Sequence, residues 1–254
     1  PEDTRIVAVD IHTGVVSDLS SGQGVKFNPS MLRGELLGFI RRDGPDEGIH
    51  YSNGTRGPKG QIRTAAWSPD GTRVVFHKRV TFERKPWVKT WSRNSSYELT
   101  LTSGGPSFSP AGDRFVFVGP AEKAMGAGVA VAKVGGDSSE VIFRDPARNV
   151  LGPQWSPNGE RIIFGLGRFN AFFNGFQGLF LKPEDRTEGG AQIAMISPDG
   201  SGFRELTSGA NNNGFPSMSP DGGRFVYRTF GPDGEGLRIM DVDTKQVTTL
   251  SNGY

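Results

Sequence analysis

Few side chains in this sequence could perform acid–base chemistry. It has three histidines and no cysteine, which excludes a thiol nucleophile and cysteine-bound zinc. The Gly-x-Ser-x-Gly, His-x-x-x-His and phosphate-loop patterns are also absent. The best catalytic set is His50, Tyr51, His77 and Arg79. There a histidine or tyrosine would remove a proton beside a carboxylate, and the arginine would stabilise the enolate, which is the chemistry of a uronate lyase.

Two stretches rich in aromatic and basic residues are better candidates for binding than for catalysis. One follows His77 and the other follows Phe164, and both are interrupted by helix- and strand-breaking residues. The predicted ligand-binding residues are Arg79, Arg84, Trp87, Trp91, Arg168, Phe169, Phe172 and Phe173. Each stretch has a structural alternative. The phenylalanines could form a small core under a long loop, and the tryptophans could cover a neighbouring element.

Four segments repeat one pattern and indicate which elements position these residues. They are 67–77, 108–118, 155–165 and 218–228. Each has a large apolar residue, Ser-Pro-x-Gly, a polar pair ending in arginine, and an apolar strand that contains an aromatic residue. Proline presets φ and glycine supplies a positive φ, so the pattern predicts a β-hairpin. The strands after the turns are too apolar to have one wet face, which predicts that both faces are covered.

A second pattern follows the hairpins. Residues 237–251 form two further predicted strands joined by a polar turn, residues 191–208 do the same, and residues 5–20 match 237–251 closely. One unit is therefore four strands in about forty residues, the length of a propeller blade. A fifth, degenerate hairpin start is assigned to residues 27–29, with a lengthened turn before residues 36–39.

These residues resemble the TolB-like propeller repeat, also called the WD40-like or PD40 repeat. Its marks are an aromatic residue before Ser-Pro-Asp-Gly, an apolar strand and a later Leu-Thr, and the resemblance covers nearly the whole chain. It implies an all-β fold, a β-propeller of four-stranded antiparallel blades. In the periplasmic namesake, such a propeller works by protein–protein contact. The resemblance also implies a periplasmic or secreted location, and related propellers include substrate-gating domains of peptidases and polysaccharide lyases.

The units predict a single domain over residues 1–254, six-bladed and with one incomplete blade. Residues 4–21 supply only the two outer strands of a blade. We expect them to pack on the blade that starts at Phe27, with an open edge beside Ile6–Asp10. A C-terminal segment beyond Tyr254 or another chain would pair across that open blade, unless the gap stays unfilled.

Chain direction divides the loops between two ends of the blades. In a four-stranded meander, the turns after strands one and three lie at one end, and those after strands two and four at the other. The first set is short and uniform. The second contains both aromatic stretches and the interblade loops 144–152 and 208–215. Because binding residues concentrate on loops held by a rigid scaffold, this second end, the long-loop face, is the predicted binding face.

Charge and hydropathy limit the classes of partner that the sequence predicts. The net charge is +2, from 29 basic and 27 acidic residues, so no nucleic-acid partner is predicted. No apolar run approaches the length of a membrane span. The acidic residues of the turns should cap their own turns, so neither a metal nor a cofactor is expected. The leading interpretation is a non-catalytic module that binds a protein or a glycan, and the alternative is the uronate lyase.

Overall fold

Short antiparallel β-strands make up nearly all of the regular structure. The computed structural model describes residues 3–10, 13, 15–42, 45–78, 87–92, 96–99, 105–119, 126–167 and 190–252. For Val9, Lys78, 87–92 and 96–99 it describes the backbone alone. The chain divides into two compact units, Pro1–Gly104 and Gly105–Tyr254. In every sheet the strands lie side by side in chain order.

The first unit contains a two-stranded sheet and two four-stranded sheets. The two-stranded sheet is β1 (Val7–Val9) and β2 (Val16–Asp18). The next sheet is β3 (Val25–Met31), β4 (Leu37–Arg42), β5 (Gly48–Tyr51) and β6 (Arg56–Lys59), with a 3-10 turn at Arg33–Glu35. The last is β7 (Ile62–Trp67), β8 (Arg73–Lys78), β9 (Trp87–Ser92) and β10 (Ser96–Leu99).

The second unit contains three four-stranded sheets. The first is β11 (Ser107–Phe108), β12 (Arg114–Val118), β13 (Val129–Lys133) and β14 (Ser139–Phe143). The second is β15 (Asn149–Trp155), β16 (Ile162–Gly167), β17 (Gln192–Ile196) and β18 (Arg204–Glu205). The third is β19 (Asn212–Met218), β20 (Arg224–Gly231), β21 (Gly234–Asp241) and β22 (Val247–Thr249). The predicted four-stranded antiparallel sheets are thus confirmed, and the count of six blades stays a prediction.

The Ser-Pro-x-Gly pattern forms the turn between the first two strands of a sheet. In the β7–β8 turn, Gly71 has φ of 70° and its N–H donates to the carbonyl of Ser68 at 2.8 Å. The Ser68 hydroxyl accepts the N–H of Arg73 at 3.0 Å and donates to the carboxylate of Asp70. Asp70 also accepts the N–H of Thr72. The serine therefore bridges the turn from inside, and the aspartate caps the turn in which it lies.

The prediction that the degenerate hairpin starts at residues 27–29 is wrong. Met31 pairs with Leu37, as Trp67 pairs with Val74, so Met31 and not Phe27 is the residue before the turn. The turn closes through the N–H of Leu32 and the carbonyl of Leu36 at 2.7 Å. It is shorter than a Ser-Pro-x-Gly turn and not longer. A bulge between Phe27 and Ser30, where Asn28 has φ of 53°, precedes this turn, and the same bulge precedes the turns of the β15–β16 and β19–β20 hairpins.

The central strands are buried on both faces, as predicted. Every residue of β16 and β17 is buried. Ile162 of β16 packs with residues of the preceding sheet such as Val116, and its neighbour Ile163 packs with Phe225 of the following sheet. Fully burying one such side chain is worth roughly 1.5–3 kcal/mol, so sheet-on-sheet packing is the main source of stability in this unit.

The β1–β2 pair has the structure of an outer blade pair. Its register, Val7 with Asp18 and Val9 with Val16, repeats that of β21 with β22. The turn repeats too, because Asp10 accepts the N–H of Thr13 at 2.7 Å just as Asp241 accepts that of Thr244 at 2.8 Å. This agreement extends the sequence match between residues 5–20 and 237–251 to individual hydrogen bonds.

The pair also packs where it was expected. Ile6 and Leu19 lie in one apolar cluster with Leu37 and Phe39 of β4. Beside this cluster the buried Lys26 ammonium donates to the carbonyl oxygens of Thr4 at 3.1 Å, Gly22 and Gly24. These contacts attach β1 and β2 to the β3–β6 sheet.

Replacing Ser68 with alanine should raise the pKa of Asp70 from about 2 towards its ordinary 3.8, because the Ser68 hydroxyl is the largest cause of the lowering. The folded pKa is the lower one. Ionised Asp70 therefore stabilises the fold above about pH 4, and this contribution is lost as the pH falls towards 2. An NMR titration of the Asp70 carboxylate measures the shift. The Ser219→Ala variant serves as a control, since it should move Asp221 and leave Asp70 in place.

Candidate functional site

A pocket of about 470 Å³ lies at the long-loop face of the first unit. It sits where β4 ends, β5 begins and the chain crosses from β6 to β7. These are the ends of strands two and four of the sheet, as chain direction requires. The residues that line it are Arg41, Arg42, Glu47, Gly60, Gln61, Ile62 and Arg63.

Backbone contacts hold the two sides of this pocket together. The N–H of Gly60 donates to the carbonyl of Glu47 at 2.9 Å, which joins the interblade connection to the start of β5. Gly48, with φ of 147°, presses against the backbone of Pro58 and Lys59 so closely that a Cβ would overlap it. Only glycine fits this approach, and the pocket wall is therefore fixed by backbone geometry.

The lining is strongly basic. Arg42 lies over the ring of Phe27, with its guanidinium carbon 4.6 Å from the ring centre, which orients that side chain. The Nε atom of Arg41 is buried against Gly24 and has no hydrogen-bond partner among the described residues. Glu47 supplies the only acidic side chain among the described residues of the lining. An arrangement of this kind suits an anionic group.

His77 is coupled to this pocket through Arg63. Its strand places it opposite Thr64, the neighbour of Arg63 on β7. Burial is the main cause that lowers the pKa of His77, and the positive charge of Arg63 lowers it further. The imidazole is therefore neutral at pH 7. A neutral imidazole has the protonation state that a general base needs.

The other two candidate bases, His50 and Tyr51, lie away from the lining of the pocket. His50 stacks on Phe39 and its Nε2 contacts the carbonyl of Asp46 at 2.7 Å. Tyr51 is buried at the far end of β5, where its hydroxyl accepts the indole N–H of Trp67 at 3.1 Å. None of His50, Tyr51 and His77 is among the described residues that line the pocket.

Most of the predicted ligand-binding residues lie outside the part of the chain that the structure describes. These are Arg79, Arg84, Arg168, Phe169, Phe172 and Phe173. Trp87 begins β9 opposite Lys78, at the long-loop end of the sheet. Trp91 pairs with Val74 near the Ser-Pro-x-Gly turn, so its backbone lies at the opposite end of the same strand and not at the predicted binding face.

The long-loop face of the second unit is braced by a buried amide network. The Gln192 side chain accepts hydrogen bonds from Thr207 at 2.7 Å and Asn213 at 3.1 Å. Its amide group donates to the carbonyls of Gly209 at 3.0 Å and Gly190 at 3.2 Å. The interblade loop 208–215 is therefore held by specific bonds at both of its ends.

Sequence reasoning missed the arginines of the pocket. Arg41 and Arg42 end a strand, and Arg63 begins another some twenty residues later in a segment without a recognisable motif. The one feature of the sequence that could have indicated these residues is their position, because two consecutive arginines end the second strand of the β3–β6 sheet. Among the described residues no group of three or more His, Cys, Asp or Glu could hold a metal ion, and no helix is long and apolar enough to span a bilayer.

Comparison with solved structures identifies the fold. A TolB structure from Agrobacterium tumefaciens superposes with a TM-score of 0.72 at 19% identity, over 97% of this chain and 87% of that one. TolB from Acinetobacter baumannii gives 0.59 at 18% identity, over 89% of this chain and 52% of that one. The fold is a TolB-like β-propeller. Its four-stranded sheets are the blades.

The same propeller fold also occurs in proteins of other function. An oligogalacturonate lyase in complex with manganese superposes with a TM-score of 0.67 at 15% identity, over 98% of this chain and 70% of that one. In sequence, the chain is 27% identical over 187 residues to the uncharacterized peptidase YuxL of Bacillus subtilis. That match covers 63% of this chain and only 28% of the peptidase. No protein-family model matches the sequence.

Replacing Tyr51 with phenylalanine should destabilise the propeller by about 1–3 kcal/mol, because the buried indole N–H of Trp67 then lacks its acceptor. Urea unfolding measures the change. Tyr227→Phe is the matched control, since Tyr227 is also buried but its hydroxyl makes no hydrogen bond with the described residues. Equal stability of the two variants would contradict this structural role for Tyr51.

Proposed function

We propose that this propeller is a non-catalytic binding module whose protein or glycan partner binds at the long-loop face. The observation that carries the proposal is the basic pocket between β4, β5 and β7, which lies at the face chosen from the loop pattern. Rigid strand ends surround it, and a rigid scaffold with variable loops is the usual arrangement for binding. The likeness to TolB structures agrees with a partner-binding propeller.

The remaining contacts of the proposed site come from the aromatic and basic stretches. Arg79, Arg84 and Trp87 would form one side, and Arg168, Phe169, Phe172 and Phe173 another. Aromatic and arginine side chains supply most of the binding energy in protein interfaces and stack on sugar rings as well. We further propose that the protein acts in the periplasm or outside the cell, by analogy with the TolB structures.

The second candidate is a uronate lyase. Two observations favour it: an oligogalacturonate lyase shares the fold, and arginines line a pocket at the long-loop face near His77. His77 would be the base and Arg79 the stabilising cation, with His50 and Tyr51 as the other proposed catalytic residues. Of these, the described side chains of His50 and Tyr51 are already engaged by Asp46 and Trp67.

We also propose that the complete propeller has six blades and that the first blade receives its inner strands from another segment or chain. β1 pairs only with β2 among the described residues. Val7 and Val9 correspond to Arg238 and Met240, which pair with β20 in the last sheet. The outward N–H and C=O groups of Val7 and Val9 are therefore an edge for strand addition.

Replacing Trp87 with alanine should weaken partner binding roughly 30-fold or more, as expected for an aromatic hot spot of about 2 kcal/mol. An array of neutral and acidic glycans and of exported proteins provides the partners. Phe203→Ala is the control, because Phe203 is an exposed aromatic residue in the turn between β17 and β18, at the opposite end of a blade. Unchanged binding in the Trp87→Ala variant would contradict the proposed face. A rise in ultraviolet absorbance with acidic glycans would instead support the lyase.

A peptide of residues 212–231, the inner pair of the last sheet, should add to β1 and slow hydrogen exchange at the Val7 and Val9 amides by at least about tenfold. The β1–β2 pair has the same register as the β21–β22 pair, and residues 212–231 lie beside the β21–β22 pair in the last sheet. The Val7→Pro variant lacks the outward N–H and should lose the protection. Exchange at Val7 and Val9 that the peptide leaves unaltered would refute strand addition at this edge.

A further inference from the structure

We propose that the pocket formed by Arg41, Arg42 and Arg63 binds the carboxylate group of a sugar acid. The inference rests on the proposed function, because it assigns a ligand class to the same long-loop face. The chemistry would be a charge-assisted hydrogen bond between guanidinium and carboxylate, with hydroxyl groups of the sugar contacting the rest of the lining.

The described lining of the pocket carries more positive than negative charge. No ion pair between the described residues includes one of its arginines. Glu47 is the one carboxylate of the described lining, beside three guanidinium groups. A concave wall of low dielectric focuses such a field, so an anion is attracted to it.

Arg41 contributes its guanidinium group to the pocket through its outer nitrogens. Its Nε is buried against Gly24, so a bound carboxylate would contact the terminal nitrogens of the group. A guanidinium presents parallel N–H bonds to a planar carboxylate, so the two groups match in geometry as well as in charge.

The other lining residues favour a hydroxyl-rich ligand. Ile62 is the one apolar side chain of the described lining, and Gln61 brings an amide that both donates and accepts hydrogen bonds. The volume of about 470 Å³ is in the range of small-ligand sites. The three guanidinium groups would attract a phosphate dianion as well, so inorganic phosphate is included in the titration below. A singly charged sugar acid satisfies all of these features.

Titration with glucuronate, glucuronamide, N-acetylglutamate and inorganic phosphate tests the assignment by calorimetry and NMR. Glucuronate should bind, and the amide, which keeps the shape without the charge, should bind at least about tenfold more weakly. Bound glucuronate should also raise the pKa of His77. The carboxylate offsets the charge of Arg63, which contributes to holding that pKa down.

Two variants locate the binding. Arg41→Gln and Arg63→Gln should each weaken glucuronate binding about tenfold or more. Arg33→Gln, which changes an exposed arginine in the 3-10 turn of the same sheet, should bind glucuronate like the unmodified protein. Thermal melting shows whether each variant is folded. Should Arg41→Gln fail to fold, Arg63→Gln and the His77 titration decide the result.

Equal affinity for the amide, tighter binding of N-acetylglutamate or phosphate, or glucuronate binding that survives in Arg63→Gln would overturn the sugar-acid site. So would a His77 pKa that does not move at saturation. These results leave the proposed function standing, because that function depends on partner binding through Trp87. Loss of the proposed function would appear in the Trp87→Ala variant, with glucuronate binding as a separate measurement.

Discussion

Ile162 and Ile163 are adjacent on β16 and therefore lie on opposite faces of their sheet, yet both are fully buried. A sheet with two apolar faces needs a cover on each side, and the neighbouring sheets provide it. Both faces of this sheet are therefore covered by its neighbours and are not accessible to a ligand. The ends of the strands, where loops leave the sheets, remain accessible for binding.

The hairpins of the fold were predictable because their information is local. Pro69 and Gly71 fix the turn by their own backbone preferences, and Ser68 closes it from within. The degenerate copy is misplaced because its turn keeps a glycine, Gly34, but has no Ser-Pro before it. Phe27-Asn28-Pro29 resembles the start of a regular copy, yet it lies on β3 before the turn, at a bulge that the β15–β16 and β19–β20 hairpins share.

The candidate site was predictable in location and only partly in composition. Chain direction alone identified the long-loop face, because it follows from the order of strands in a meander. The pocket residues did not follow from it. Arg41 and Arg63 meet through the crossing from β6 to β7 and through the close approach at Gly48, and neither is visible as a motif. Tyr51 stood out by residue type, whereas in the structure it supports Trp67.

A chain of near-identical hairpins risks pairing strands from the wrong copies as it folds. The Gln192 network bears on that hazard. Its amide meets Thr207 and Asn213 only when β17 lies beside the β18–β19 connection in the native register. A slip of one residue would bury the amide without partners, at a cost of several hydrogen bonds. The apolar strands of different blades resemble one another and could pair wrongly. A buried polar group that is satisfied in only one blade therefore favours the native pairing over the wrong one.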